Sequence, residues 1–365
     1  MDQASLRRKT EKLFGLAGPV DGILLLNTSN QDPNFVYMTD FGGGLFEDSF
    51  IVVERDVETL FTDMREYEGA KKQIIGGMRI VQLDSRKKVE LLVGKIKGRR
   101  IGINGSFLPY SKYCNILKKW KPKKLVDVTD ALSSAREVKE VYEIARIRKA
   151  AAITKKAIAM TQRQLRVGVT EKAIADYFNN AILKLGAEGT AFSSIVCFGE
   201  NSAVPHHSPG STRLRYGDIV LIDVGAKYRN YCADITRTVI FGKDRNRIRN
   251  YKAKDEMIRI VREAQDMAIA SVHEGIMGSK VHMVAQDHID HAAGGRYRGT
   301  FGHALGHSIG VEVHDGSRGF LSPGSTLKLK EGMVTSVEPG IYVPGLGGAR
   351  IEDDILITKN GAVIL

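Results

Sequence analysis

Cysteine is scarce in this 365-residue chain, and what there is does not pair. Cys114, Cys197 and Cys232 are odd in number and far apart, which argues against a disulfide framework and fits a reducing compartment. No Cys/His spacing of a zinc module accompanies them. Long apolar runs are missing too. The aliphatic run Ile23–Leu26 is far short of the ~20 residues that cross a bilayer and too short for the apolar core of a secretory signal. The expectation is a cytoplasmic protein with no membrane partner. Phe41-Gly42-Gly43-Gly44 lacks the lysine and spacing of a phosphate loop. His273-Glu274 opens a zincin-type pattern, but Met277 stands where the second histidine belongs.

What is present is an ordinary globular composition, 43% hydrophobic and 26% charged. It excludes disordered and collagen-like classes, and the length supports a well-buried core in two domains. The net charge of +12 raises nucleic-acid binding as a class. The excess, however, is +5 over residues 1–134 and +7 over residues 135–365, spread over both parts with no nucleic-acid motif beside it. A solvated basic surface is the reading this supports.

The first third alternates short apolar runs (22–27, 50–54, 58–63, 79–83, 101–104) with helical periodicity over Glu66–Ile75 and Lys87–Lys95. This predicts an α/β domain over residues 1–134 with a parallel or mixed sheet. From residue 135 the pattern changes. A long helix is expected over Glu137–Thr161 and a second over Glu171–Leu185, capped by Thr170. Strands, two more helices (247–273 and 279–293) and further strands follow, predicting an α+β domain over 135–365. Asn360-Gly361, between two apolar runs, marks a closing hairpin.

The chemistry sits in this second part. In GDIVLIDVGAKYRNYCADITRTVIFG, Asp223 and Asp234 are equidistant from a turn centred between Tyr228 and Arg229. That places them face to face across an antiparallel ladder, with Cβ atoms roughly 5 Å apart. In EPGIYVPGLGGARIED, Glu338 and Glu352 are likewise symmetric about Gly345. Opposed carboxylates between apolar strands are destabilising unless positive charge neutralises them. Four such groups suggest divalent metal. Between them, GTFGHALGHSIGVEVHD carries His303 and His307 among glycines that mark an irregular turn, then His314 in a strand-like run. One histidine with four carboxylates is an oxygen-rich set for two ions, suited to Mn²⁺ or Co²⁺ more than to a thiolate-type zinc site.

The set GDIVLIDVGAKY…ADITRT, GHALGHSIGVEVHD, EGMVTSVEPGIYVPG and ARIEDD resembles the metal-dependent proline-peptidase family of prolidase and aminopeptidase P. That family shares the pita-bread fold with methionine aminopeptidase. NFVYMTDFGG resembles its creatinase-type N-terminal domain, so the likeness covers essentially the whole chain. The resemblance implies an α/β creatinase-type N-terminal domain plus an α+β pita-bread catalytic domain that hydrolyses the Xaa-Pro bond of small peptides. Dipeptides are favoured over the longer substrates of an aminopeptidase. A catalytically inactive binding or chaperone protein on the same scaffold is the alternative from another class, and it would be expected to have lost ligands.

The metal ligands it implies are Asp223, Asp234, His307, Glu338 and Glu352, holding two divalent ions, Mn²⁺ or Co²⁺ with Zn²⁺ as an alternative. His314 would steady the substrate carbonyl, His303 would line the proline-side pocket, and Arg350 would pair with ligand carboxylates. Glu338 would relay the proton. In AVPHHSPG the histidine after proline, His206, would contact substrate, with His207 beside it as a rival. HALGH departs from the usual HGLGH at Ala304. A homodimer is implied as well.

Overall fold

Apolar runs separated by amphipathic stretches build one mixed sheet in the first unit, Met1–Arg136. The computed structural model describes residues 1–28, 31–74, 77–316 and 320–365. Along the chain come α1 (Gln3–Leu16), β1 (Gly22–Leu26), α2 (Pro33–Thr39), β2 (Phe50–Val53), β3 (Glu58–Thr62) and α3 (Met64–Gln73). Next are β4 (Arg79–Gln82), α4 (Arg86–Gly94), β5 (Arg100–Ile103), α5 (Tyr110–Asn115), β6 (Lys124–Asp127) and α6 (Thr129–Glu137). The strand order is β4-β3-β2-β1-β5-β6, with β1 antiparallel to β2 and parallel to β5. Period-two alternation sends Ile23 and Leu25 into an apolar cluster with Leu13 and Phe35, and Leu24 into another with Leu92 and Ile101. Both faces of the sheet are therefore covered. Helix α3 starts two residues before the expected Glu66, because Asp63 caps it by accepting from the Arg65 N–H. The expected last residue, Ile75, lies outside the described residues.

The second unit, Glu137–Leu365, segregates its helices from its strands. It opens with α7 (Val141–Gln162) and α8 (Glu171–Lys184). The single helix expected over Glu137–Thr161 starts later than expected, at Val141. Val138 pairs with Met333 and the Lys139 N–H donates to the Gly332 carbonyl, so the backbone is extended there. A capping box of Glu140 and Glu143 then opens α7. Strands β7 (Gly189–Thr190), β8 (Ile195–Phe198), β9 (Ile219–Val224), β10 (Ala226–Tyr228), β11 (Tyr231–Cys232) and β12 (Ile235–Ile240) follow.

After α9 (Tyr251–Ser271) and α10 (Gly278–His291) come β13 (Val334–Val337), β14 (Gly340–Val343), β15 (Gly347–Arg350), β16 (Asp353–Thr358) and β17 (Gly361–Ile364). The apolar stripes of α9 (Met257, Val261, Ala264, Ala268) and α10 (Val281, Ala285, Ile289) pack in one cluster with Val337, Ile341, Ala349 and Ile355 of the late strands. The closing hairpin pairs Thr358 with Gly361. Its turn residues are therefore Lys359 and Asn360, one position before the expected Asn360-Gly361.

Candidate metal centre

The first carboxylate pair is set by a turn. Tyr228 pairs with Tyr231, which leaves Arg229 and Asn230 as a two-residue turn, both at positive φ (45° and 70°), as a type I′ turn requires. The register continues into β9 and β12, where Asp223 faces Thr236. Asp234 sits two positions earlier, in the break between β11 and β12. The expected face-to-face placement is thus corrected to a diagonal one, because the turn is centred one residue later than its symmetry suggested. An offset of two keeps both carboxylates on one side of the sheet. The break is tight: a β-carbon on Gly225 would lie 1.9 Å from the Ala233 carbonyl oxygen.

The second pair is directly opposed. Val337 faces Asp353 at the end of one ladder and Gly340 faces Arg350 at the start of the next. The same register places Glu338 opposite Glu352 in the gap between them. Both side chains of this gap are strained electrostatically. Burial, then the charge of Glu352, pushes Asp234 and Glu338 well above the usual carboxylate range. Burial, then the charge of Asp223, pushes Glu352 up to about 8.

His307 enters from an irregular segment. Its N–H donates to Ser336 Oγ (3.1 Å) and its carbonyl accepts from Thr335 Oγ1 (2.9 Å). Nδ1 lies 3.4 Å from the Ser308 carbonyl, the group to which an Nδ1–H donates, so Nε2 is the acceptor. That nitrogen lies 3.4 Å from Glu338 Oε1 and 3.6 Å from Asp234 Oδ2. Burial, then His314, holds the imidazole down at about 3, so it is neutral at pH 7. With both carboxylates ionised, these three acceptors repel unless a cation lies among them.

Ligand atoms of Asp234, His307 and Glu352 all fall within 4.8 Å of one another. Asp223 Oδ1, Asp234 Oδ1 and Glu352 Oε1 are buried with no hydrogen-bond partner among the described residues. Leaving such groups unmet is costly. The donor set therefore fits a hard divalent ion.

Arg350 ties the two hairpins together. Nη2 donates to Asp223 Oδ2 (2.5 Å), Nη1 to Tyr342 Oη (2.6 Å) and Nε to Thr236 Oγ1 (3.3 Å). Tyr342 Oη in turn lies 2.9 Å from His303 Nε2, while His303 Nδ1 is 2.8 Å from the Ala304 carbonyl. One arrangement satisfies every group: Arg350 donates to Tyr342, Tyr342 donates to Nε2, and Nδ1–H donates to Ala304. Burial pushes the Tyr342 hydroxyl up to about 12 and the His303 imidazole down to about 4. His314 stands edge-on to His307, ring centroids 4.0 Å apart, in the segment expected to be strand-like. It forms no strand, because Asp315 N–H folds back onto the Ser308 carbonyl.

The two adjacent histidines separate cleanly. His207 Nε2 is bonded at 2.9 Å to Glu171, a fully buried carboxylate that also accepts from Phe198 N–H, Asn201 Nδ2 and Gly210 N–H. His207 therefore pins its own loop. His206 is exposed, and its positive form would oppose charge on both His303 and His314. Three further residues, Tyr342, Asp354 and Thr236, escaped the sequence reading. Tyr342 and Arg350 are diagonal neighbours in a register that the Glu338/Glu352 symmetry already fixes. Asp354 alternates with Glu352 and accepts from the Asp234 N–H at 3.0 Å. Thr236 faces Asp223 and donates to Glu352 Oε2 at 2.7 Å, visible only once the turn is placed correctly.

An α+β domain that delivers buried carboxylates and a neutral histidine to one point is built as a metal-dependent hydrolase. Residues 145–359 match Metallopeptidase family M24 and residues 11–138 match the Creatinase/Prolidase N-terminal domain. The chain belongs to metallopeptidase family M24, with a creatinase-type N-terminal domain and a pita-bread catalytic domain. It is 35% identical to the Xaa-Pro dipeptidase of Pyrococcus horikoshii over 344 residues, 94% of this chain and 92% of that one. Among solved structures it resembles the prolidase from Pyrococcus horikoshii at a TM-score of 0.86 and 32% identity. It resembles the X-Pro aminopeptidase from Thermotoga maritima at 0.86 and 33%. Each comparison covers 98% of this chain and 97% of the other. No helix among the described residues is long and apolar enough to cross a membrane.

Proposed function

We propose that the chain is a two-metal Xaa-Pro peptidase acting mainly on dipeptides, with residues 1–134 as the N-terminal domain and 135–365 as the catalytic domain. The observation that carries this reading is the convergence of buried acceptors without donors. Four buried carboxylates gather beside one guanidinium, that of Arg350, which is paired with Asp223, an excess of negative charge that divalent cations would offset. Asp223, Asp234, His307, Glu338 and Glu352 would hold two ions, Mn²⁺ or Co²⁺ before Zn²⁺ by the preponderance of oxygen donors. Bound there, the ions would supply the Lewis acidity that makes water nucleophilic at neutral pH.

The protein's own groups carry the remaining steps. Glu338 takes the proton of the attacking water and delivers it to the prolyl nitrogen as the C–N bond breaks. That nitrogen belongs to a tertiary amide and has no hydrogen, so recognition rests on ring shape and the carbonyl. His314, edge-on to His307, would donate to the developing oxyanion. His303, oriented by Tyr342, lines the proline side, and His206 approaches from its pinned loop. We also infer a cytoplasmic homodimer.

The likeness to a dipeptidase and a prolidase supports dipeptide substrates. The equal likeness to an X-Pro aminopeptidase favours a second reading, cleavage after the first residue of longer Xaa-Pro peptides. Metal-stripped protein given Met-Pro or Met-Pro-Ala, with and without Mn²⁺ or Co²⁺, separates them, with Asp223→Ala as control. Metal-dependent cleavage of the dipeptide alone is the expected result. Cleavage of both peptides, or of the tripeptide only, moves the reading to an aminopeptidase. Cleavage of neither sinks it.

A further inference from the structure

His307 and His314 ride on one segment that is itself neither helix nor strand. Its first residues lie along β13, where Ser308 bridges Thr335, the Ser336 N–H donates to the His307 carbonyl and the Ile309 N–H donates to the Val334 carbonyl. The segment closes on itself where the Asp315 N–H donates to the Ser308 carbonyl (2.8 Å) and the Gly310 N–H to the Glu312 carbonyl (3.0 Å). Its far side is tied by the Cys232 N–H, which donates to the Gly310 carbonyl (2.8 Å). The Asp315 carboxylate fills the inside of the loop so fully that a β-carbon on Gly310 would lie 1.9 Å from it.

Into this base reaches Lys139. Its Nζ is 2.9 Å from Ser308 Oγ and 3.4 Å from Asp315 Oδ2, with the lysine and aspartate side chains 1% and 2% exposed. Lys139 is itself fixed by its N–H to the Gly332 carbonyl, in the extended break that interrupts the helical pattern ahead of α7. Ser308 and Asp315 are each the chain neighbour of a site histidine: Ser308 follows His307, and Asp315 follows His314.

We infer that Lys139 and Asp315 are a positioning pair, which through Ser308 sets the 4.0 Å edge-on arrangement of His307 and His314. The inference deepens the proposed function and rests on His307 being a metal ligand there. A surface ion pair would be interchangeable with solvent, but this one is buried, and its lysine reaches the chain neighbours of both histidines from a part of the chain far from either. Groups that orient metal-binding histidines typically change metal affinity or turnover by ~10- to 100-fold when removed.

The test uses the full chain with Lys139→Met and the double variant Lys139→Met/Asp315→Asn. Mn²⁺ affinity is read by calorimetry and Xaa-Pro turnover by steady-state kinetics. Lys139→Met should lose thermal stability, since it takes the lysine's charge away from a buried carboxylate, and should weaken Mn²⁺ binding and kcat by at least ~10-fold with KM nearly unchanged. The double variant removes the Asp315 charge as well. It should recover the thermal midpoint while affinity and kcat stay low. Recovery of kcat and affinity along with stability would show a pair that only stabilises and would overturn the inference, as would wild-type values in Lys139→Met. Should Lys139→Met not fold, Ser308→Ala and Asp315→Asn are read in the same way, and wild-type behaviour in both overturns it. Absence of hydrolysis in the wild-type protein would count against the peptidase reading alone, because Mn²⁺ calorimetry on wild type and variants still reports whether Lys139 places His307.

Discussion

The two carboxylate hairpins are built to the same plan and differ by a shift of two residues. In the later one, Glu338 and Glu352 stand directly opposite each other between two ladders that share one register. In the earlier one, Asp223 and Asp234 are diagonal, because the Arg229-Asn230 turn moves the register along. The shift changes how each pair is relieved. Asp223 lies level with Thr236 and meets Arg350 across the hairpins, whereas Glu338 and Glu352 are offered hydroxyls from Ser336 and Thr236. A diagonal pair leaves room for a protein cation. An opposed pair leaves its charge to be met by something held between its members.

The sharpest test of that contrast is Glu338→Gln. It keeps shape and removes the carboxylate assigned to proton transfer, so turnover should fall by about 10³-fold, within the range for a general acid–base group. A fall of less than tenfold in steady-state assays would shift that role elsewhere. Next is Arg350→Met, which strands Asp223. It should destabilise the metal-free chain by about 3–5 kcal/mol in urea unfolding. Arg350→Lys should recover only part of this, because an ammonium cannot reproduce the planar fork shared between Asp223 and Tyr342.

A smaller effect is expected at the link between hairpin and pocket. Tyr342→Phe frees His303 Nε2 and should raise KM for Xaa-Pro peptides about tenfold with little change in kcat. If kcat falls instead, Tyr342 acts on the chemistry and not on the pocket. The smallest effect concerns pH. His303 is held at about 4 in the folded protein against an ordinary 6.5. Its contribution to stability is complete above 6.5 and is lost as pH falls from 6.5 toward 4, where the unfolded chain takes up a proton that the folded one does not. His303→Gln should therefore flatten the fall in urea midpoint over that window in metal-free protein.

Much of this site was legible because strand geometry has a period of two. Symmetry about Gly345 identifies the register of the second hairpin outright. About the first turn it errs by one residue in the centre and two in the register, yet parity keeps Asp223 and Asp234 on one face. Turn type decides such a shift, and an Arg-Asn pair at positive φ is not a pattern that periodicity reveals. The helix break at residues 138–140 was hidden for a different reason. Its apolar spacing continues across the gap, while the interruption comes from pairing with Met333 and Gly332, almost two hundred residues away. The bond that ties His207 to its loop needed the buried Glu171, whose place at the start of α8 carries no sign in the sequence that it reaches a distant loop.

Two glycines beside the site do no chemistry. At Gly225 an added methyl group would meet the Ala233 carbonyl at 1.9 Å, and at Gly306, next to His307, the Ser336 carbonyl at 2.0 Å. In both cases main chain presses on main chain, so no neighbouring side chain can swing aside to make room. In a saturation library selected for activity, these two positions should come back as glycine as stringently as the proposed metal ligands come back as themselves. A reader scoring tolerance alone would mistake them for reactive groups.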